Sequence, residues 1–259
     1  MNGKIIKGAN FSEPFIVSHE LGDNPGLYVV VDGAGGHNAG EAACWMILEE
    51  LNETAKLIQS ASEIRICIKH ELNRIQDNMT SISEYKPNLC GMCATLAGVV
   101  LNAAVSREEP PCGMTARAAA AFFTRKKAIP FNCGDCRVYF ENDRNLVQLT
   151  RDHSYVRRLF DEGSISEDAM RTHPQKNVVT AAVQAGGYPV EVYFGGIEFS
   201  SSGRFLICGD GVWEALPKEE LERVAAIEQI ERSAGEMAGK IMSTECKDNV
   251  SFILLDIHP

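Results

Sequence analysis

No run of about 18 consecutive apolar residues occurs, so no membrane-spanning helix and no membrane partner are expected. Basic residues are short: 25 Lys and Arg against 35 Asp and Glu give a formal net charge of −10. That balance argues against nucleic acid as a partner, because displacing counterions from phosphates needs a basic footprint. The opening Met1-Asn2-Gly3-Lys4-Ile5-Ile6-Lys7 lacks the long apolar core and cleavage site of a signal peptide. Nine cysteines, an odd number scattered through apolar stretches, read as reduced thiols, and a cytoplasmic location is expected. Repeats, low-complexity tracts and interior linkers are also missing, which predicts one domain over residues 1–259. What remains, 45% hydrophobic and 23% charged, is ordinary globular composition with enough chain for a large core.

The stretch Leu27-Tyr28-Val29-Val30-Val31-Asp32-Gly33-Ala34-Gly35-Gly36-His37 organises the chain. A buried strand ends on a carboxylate, turns on glycines and leads into apolar residues at helical spacing from about 39 to 59. Such an arrangement holds a cation or a phosphate. Upstream, short apolar pieces in 4–17 predict a first strand pair, and Gly22-Asp23-Asn24-Pro25-Gly26 predicts a hairpin into 27–31. A second amphipathic helix is expected at about 61–84, antiparallel to the first. Strands are expected at 95–101, 118–123, 128–133, 137–140 and 146–149, with a polar connection over 106–117. Residues 151–190 read as irregular, apart from a short helix near 154–161. Strands at 191–197 and 204–208, a helical stretch over 217–243 and a final strand at 250–255 complete an α+β layered pattern.

Three carboxylates share one placement. Asp32 ends a strand before Gly33, Asp210 ends one between Gly209 and Gly211, and Asp248 stands before the last strand. A single Asp-Gly reads as a turn. Three at strand ends make a cation site a comparable reading, since clustered carboxylates repel unless a cation neutralises them. Hard oxygen ligands select magnesium, manganese or calcium over zinc.

The ordered motifs are more specific. Val31-Asp32-Gly33-Ala34-Gly35-Gly36-His37 with Ala39-Gly40-Glu41, Gly91-Met92-Cys93-Ala94-Thr95-Leu96, and Asn132-Cys133-Gly134-Asp135-Cys136-Arg137-Val138-Tyr139 are followed by Leu149-Thr150-Arg151-Asp152-His153-Ser154, Cys208-Gly209-Asp210-Gly211 and Asp248-Asn249-Val250-Ser251. In this order they resemble the blocks of bacterial-type, metal-dependent type-2C Ser/Thr protein phosphatases. The resemblance implies a four-layer α/β/β/α sandwich, with two central, mainly antiparallel sheets around a metal cleft. It implies hydrolysis of phosphoserine and phosphothreonine on proteins by a water bridging two Mn2+ or Mg2+ ions, without a covalent intermediate. Asp32, Asp210, Asp248 and the carbonyl of Gly33 are the implied ligands, with Asp135 for a third metal. Glu13 is implied to act through a water, and His37 as a general acid, as a water-positioning group or at the helix start. The segment at about 155–190 resembles the family's flap and is expected to face the protein substrate. A phosphoprotein substrate, a paired Ser/Thr kinase and a monomeric state are the expected partners and assembly.

The first block departs from the family's pattern. Gly8-Ala9-Asn10-Phe11-Ser12-Glu13-Pro14 lacks the arginine that binds substrate phosphate, and Lys7 is the nearest basic substitute. A lysine is a point charge where the arginine is a bidentate fork. The loss keeps open a second reading, a weakly active or inactive module of this fold that binds phosphoproteins. Two other motifs compete less well. Gly33-x-Gly35 opens like a dinucleotide loop, but the third glycine is missing and Asp32 would repel a pyrophosphate. Cys90-x-x-Cys93 and Cys133-x-x-Cys136 have zinc-like spacing, but they lie far apart and read better as buried small hydrophobes. Asp152-His153 is expected to stabilise a turn by hydrogen bonding, and the acidic tract from Glu219 to Glu231 to form a solvated helix face.

Overall fold

A computed structural model describes residues 5–9, 16–18, 26–34, 37–57, 61–102, 126–199, 202–244 and 248–257; for 5–9, 16–18, 37–38, 56–57, 61–62, 102 and 126 only the backbone is described. Two antiparallel sheets form the centre. The first orders β1 (Ile5–Ala9), β12 (Ser251–Ile257), β11 (Gly203–Cys208), β6 (Arg137–Asn142) and β7 (Asn145–Gln148). The second orders β10 (Ile197–Phe199), β5 (Lys126–Cys133), β4 (Cys93–Asn102), β3 (Gly26–Ala34) and β2 (Ile16–Ser18). In that sheet β8 (Val183–Gln184) pairs with β4, and β9 (Tyr193–Phe194) with β5.

Side-chain alternation with period two dictates the layering. On β3, Leu27, Val29 and Val31 join a core with Ile47, Leu51, Ile68 and Ile75 of α1 (His37–Leu57) and α2 (Ala61–Tyr85). Tyr28 and Val30 point the other way, into a core between the sheets with Phe205, Ile207, Ile253 and Leu255. The opposite faces of β11 and β12, carrying Leu206, Cys208, Phe252 and Leu254, pack on α5 (Asp210–Ala215), α6 (Lys218–Ala225) and α7 (Ile230–Met242). Helices, sheet, sheet and helices therefore stack in four layers, as the resemblance implied. Strands covered on both faces read as unbroken apolar runs, which is why Val29-Val30-Val31 stands out in the sequence. Each fully buried Leu, Ile or Val in these layers contributes about 1.5–3 kcal/mol.

The expected first strand pair is corrected: β1 lies beside β12 and β2 beside β3, so the two pieces edge different sheets. The β2–β3 hairpin itself forms. Asp143 and Arg144, at φ 52° and 65°, make the tight turn between β6 and β7. The connection at 106–117 and the strand at 118–123 lie outside the described residues. In place of one helix over 217–243 there are two, and Arg204 explains the break. Its side chain is only 6% exposed; it pairs with Asp256 at 2.5 Å and donates to the carbonyls of Ala225, Ile227 and Glu228. The carbonyl of Ala225 at the end of α6 and two carbonyls of the connection after it are thereby satisfied without continuing the helix. The expected strand at 191–197 is two short pieces, β9 and β10. Residues 151–190 hold α3 (Tyr155–Asp161), as expected, and also α4 (Glu167–Thr172) and β8. Ser154 and Ser166 start the two helices by accepting from the amides of Arg157 and Ala169. No described helix is long and apolar enough to cross a membrane.

Candidate metal centre

Both sheets deliver carboxylates to one edge. Asp32 lies near the end of β3 in the second sheet, opposite Thr95 of β4, and the strand runs on to Ala34, two residues past the expected end. Asp210 follows β11 of the first sheet and starts α5, while Asp248 precedes β12. Asp135 sits in the turn that carries the chain from β5 in one sheet to β6 in the other. The amide of Gly209 donates to the carbonyl of Ser251 at 3.0 Å, which ties the end of β11 to the start of β12. The amide of Asn249 donates to Oδ1 of Asp248 at 2.8 Å, which fixes that side chain at the mouth of the strand.

The carboxyls of Asp32 and Asp210 face each other closely enough that each shifts the other's protonation. Burial and the charge of Asp210 push Asp32 up to about 8, with smaller contributions from Asp248 and Asp135. Asp135 is pushed up to about 7 by burial and then by Asp210. Asp210 is raised by burial and by Asp248. Two carboxyls in such contact must hold a proton between them or share a cation, and an all-oxygen donor set suits a hard divalent ion. The exposed end of β3 at Gly33 leaves backbone accessible beside them. Among the described residues no three Asp, Glu, His or Cys side chains close a metal shell by themselves. Magnesium and manganese commonly complete such a shell with waters and backbone oxygen, so the donor set fits.

Glycine is needed at two points of this edge. A Cβ at Gly209 would stand 2.8 Å from Oδ2 of Asp32. Gly134 turns at φ +101° with Thr95 only 2.4 Å from where its Cβ would be, which lets the β5–β6 turn lie against β4. His153 holds that turn: its amide donates to the carbonyl of Gly134 at 2.8 Å, and its Nδ1 accepts from the amide of Gly134 at 3.1 Å. Burial lowers the pKa of His153, which suits the acceptor role. The expected turn-stabilising function of Asp152-His153 is what the hydrogen bonds show.

Other expected residues fall differently. Glu13, Gly35 and Gly36 lie outside the described residues. Lys7 is placed on β1 opposite Ile253 and His37 at the first position of α1, with both side chains outside the description. Cys133 and Cys136 are fully buried, Cys136 within 3.1 Å of the hydroxyl of Thr95, and no described cysteine is in a disulfide. Burial raises both thiols, so they behave as small apolar groups; the same expectation fails for the other pair, where Cys90 is exposed and Cys93 half-buried.

One network was not legible in the sequence. Arg137 grips Asp152 through both carboxylate oxygens, donates to the hydroxyl of Tyr139 and stacks on Trp213 at 3.6 Å. The indole of Trp213 donates to the carbonyl of Asp135 at 3.0 Å. Arg137 thus braces both the turn carrying Asp135 and the helix that starts at Asp210. Beside it opens a cavity of about 70 Å³, to which Arg171, Lys176 and Glu214 also contribute. The only signal for this in the sequence is Trp213 three residues after Asp210.

No protein-family model matches the chain. The serine/threonine phosphatase Stp of Listeria welshimeri is 29% identical over 241 residues, which span 90% of this chain and 85% of that protein. Serine/threonine phosphatase Stp1 from Staphylococcus aureus superposes with a TM-score of 0.81 at 22% identity, over 100% of this chain and 95% of that one. The catalytic domain of the serine/threonine protein phosphatase PstP, solved in complex with 2 manganese ions, superposes with a TM-score of 0.74 at 20% identity, over 99% of each chain.

Proposed function

The chain is a sequence and structural relative of the bacterial metal-dependent type-2C Ser/Thr protein phosphatases, and from that kinship we propose that it hydrolyses phosphoserine and phosphothreonine on proteins. In this reading Asp32, Asp210, Asp248 and the carbonyl of Gly33 hold two manganese or magnesium ions, and Asp135 takes a third. The contact between the Asp32 and Asp210 carboxyls, at the edge where both sheets meet, carries the reading. Manganese in the PstP catalytic domain supports the choice of metal.

Bound there, divalent cations would supply a water of lowered pKa, aim it in line at phosphorus and neutralise the phosphoryl oxygens. The protein's part is positioning. Strand ends keep the carboxylates of Asp32 and Asp210 rigid, and the bond from Gly209 to Ser251 keeps Asp248 in register with them. Arg137 and Trp213 hold the Asp135 turn in place. Lys7 supplies a point charge toward the substrate phosphate, Glu13 contributes through a water, and His37 orients a water or moves a proton at the start of α1. No side chain is asked to carry the phosphoryl group. A single domain over 1–259, a monomer in the cytoplasm and pairing with a Ser/Thr kinase complete the proposal.

Hydrolysis of a small aryl phosphate with and without manganese, in the wild type and in Asp210→Asn, tests it. Manganese-dependent turnover that Asp210→Asn loses is expected; activity without metal, or none in the wild type, overturns it. The absence of arginine from Gly8–Pro14 favours the second reading, a phosphoprotein-binding module, and an inactive wild type that still retains phosphopeptides would establish that one.

A further inference from the structure

We propose that the cavity beside Trp213 is a subsite for an acidic residue flanking the phosphorylated serine or threonine of the substrate, with Arg171 as its anion-binding group. The inference rests on the phosphatase reading and adds to it a class of preferred substrate.

Three cations line this cavity, and two are already matched. Arg137 is bonded to Asp152 and stacked on Trp213. Nζ of Lys176 lies 2.6 Å from Glu214. Arg171, in the last turn of α4, differs. Its Nη2 donates to the carbonyls of Trp213 at 3.2 Å and Leu216 at 3.4 Å, which orients the guanidinium at the C-terminal end of α5. Among the described residues no carboxylate is paired with it, and both of its hydrogen bonds leave from Nη2. Asp135, the remaining anion of the lining, belongs to the carboxylate cluster. Three cations thus face three carboxylates in the lining, and Arg171 is the cation that no carboxylate pairs with, in a chain whose net charge is −10.

Size and position fit an acidic side chain. About 70 Å³ admits a short carboxylate with a few waters, and Val156, Met170 and Trp213 give its methylene an apolar wall. Trp213 and Glu214 follow Asp210 by about one turn of α5, a rise of about 5 Å. An extended peptide advances about 3.5 Å per residue, so a residue one to three places from the phosphorylated one reaches Arg171. A planar guanidinium held by two carbonyls is pre-organised for a carboxylate, and charge complementarity of this kind sets specificity.

The test is a walk of one aspartate, against alanine, through the three positions on each side of phosphothreonine in a short peptide, with manganese present. At one position the wild type should show a kcat/KM about fivefold to tenfold higher for aspartate, carried by KM and weakened by salt. Arg171→Gln should bring that ratio close to one, and Arg171→Lys should restore part of it. A wild-type ratio near one at every position, a ratio that survives in Arg171→Gln, or an equal loss on all peptides in that variant overturns the subsite. The same peptides titrated by fluorescence anisotropy onto Asp210→Asn protein repeat the comparison without turnover. A missing aspartate preference there counts against the subsite, whereas a wild type inactive on aryl phosphate counts against the phosphatase reading.

Discussion

Gly209 packs against the carboxylate of Asp32 so closely that a Cβ added to it would stand 2.8 Å from Oδ2. Its φ of −72° is open to any residue, so space and not backbone freedom selects glycine here. A methyl group would push Asp32 away from Asp210 while leaving β11 and α5 intact. Gly209→Ala should therefore lower manganese-dependent turnover of aryl phosphate about 10²-fold, the usual cost of displacing a reacting group by about 1 Å. The loss of stability should stay within about 1–3 kcal/mol. Parallel kinetics and urea unfolding check both. Full activity in the alanine variant would show that the carboxylates tolerate displacement and do not act as one centre.

Asp32 and Asp135 give the metal-free protein a pH dependence of definite sign. Both are raised in the fold, to about 8 and about 7, from an ordinary aspartate value of 3.8. A carboxyl raised in this way binds its proton more tightly folded than unfolded. Its contribution is fully present below about pH 4 and lost as pH rises toward 8. The chelated protein should lose stability across that window, against the usual trend for acidic residues. Manganese should remove the slope and release protons on binding. Melting temperatures from pH 5 to 8, with manganese or with chelator, decide the matter; parallel curves would mean that the cluster holds no cation.

Arg204 offers a stability test away from the metal edge. It is buried, pairs with Asp256 and satisfies three carbonyls at the break between α6 and α7. Arg204→Ala leaves a carboxylate and those carbonyls unmatched and should cost about 3–5 kcal/mol in urea unfolding. Changing Arg204 and Asp256 together to apolar residues should cost less than Arg204→Ala alone, because no stranded charge remains. Equal losses would show that the carbonyl contacts, rather than the ion pair, hold the break.

Elements with a strong local pattern were readable before the structure. Val29-Val30-Val31 and Phe252-Ile253-Leu254 are apolar on both faces because both sheets are covered on both sides, and the two long helices show their periodicity plainly. Asp32 and Asp210 were readable too, since an Asp-Gly after an apolar run marks each of them locally. The partner of β1 was not, because pairing Ile5–Ala9 with Ser251–Ile257 joins opposite ends of the chain and no local residue announces it. The break at Ala226–Gln229 was hidden as well: its cause is Arg204, more than twenty residues upstream on a strand. Arg137, Asp152 and Trp213 fell in or beside recognisable blocks, yet their mutual contact depends on how β6, its following loop and α5 meet.

That contact supplies a last prediction. Arg137 sits over the indole of Trp213 and grips Asp152, whose side chain is only 4% exposed. Lysine keeps the charge but loses both the two-pronged grip and the stacking face. Arg137→Lys should cost about 2–4 kcal/mol, since Asp152 keeps its charge with a poorer partner in a buried setting. The kinetic consequence should be more selective. Trp213 holds the carbonyl of Asp135 at 3.0 Å, so a tilted indole loosens the turn that presents Asp135 without moving Asp32. The manganese concentration for half-maximal activity should rise, while turnover at saturating manganese changes less. Trp213→Phe keeps a stacking ring and removes the indole donor, and should reproduce the metal shift with a smaller loss of stability. If Arg137→Lys shifts the metal requirement and Trp213→Phe does not, the arginine acts on Asp135 through its charge rather than through the ring.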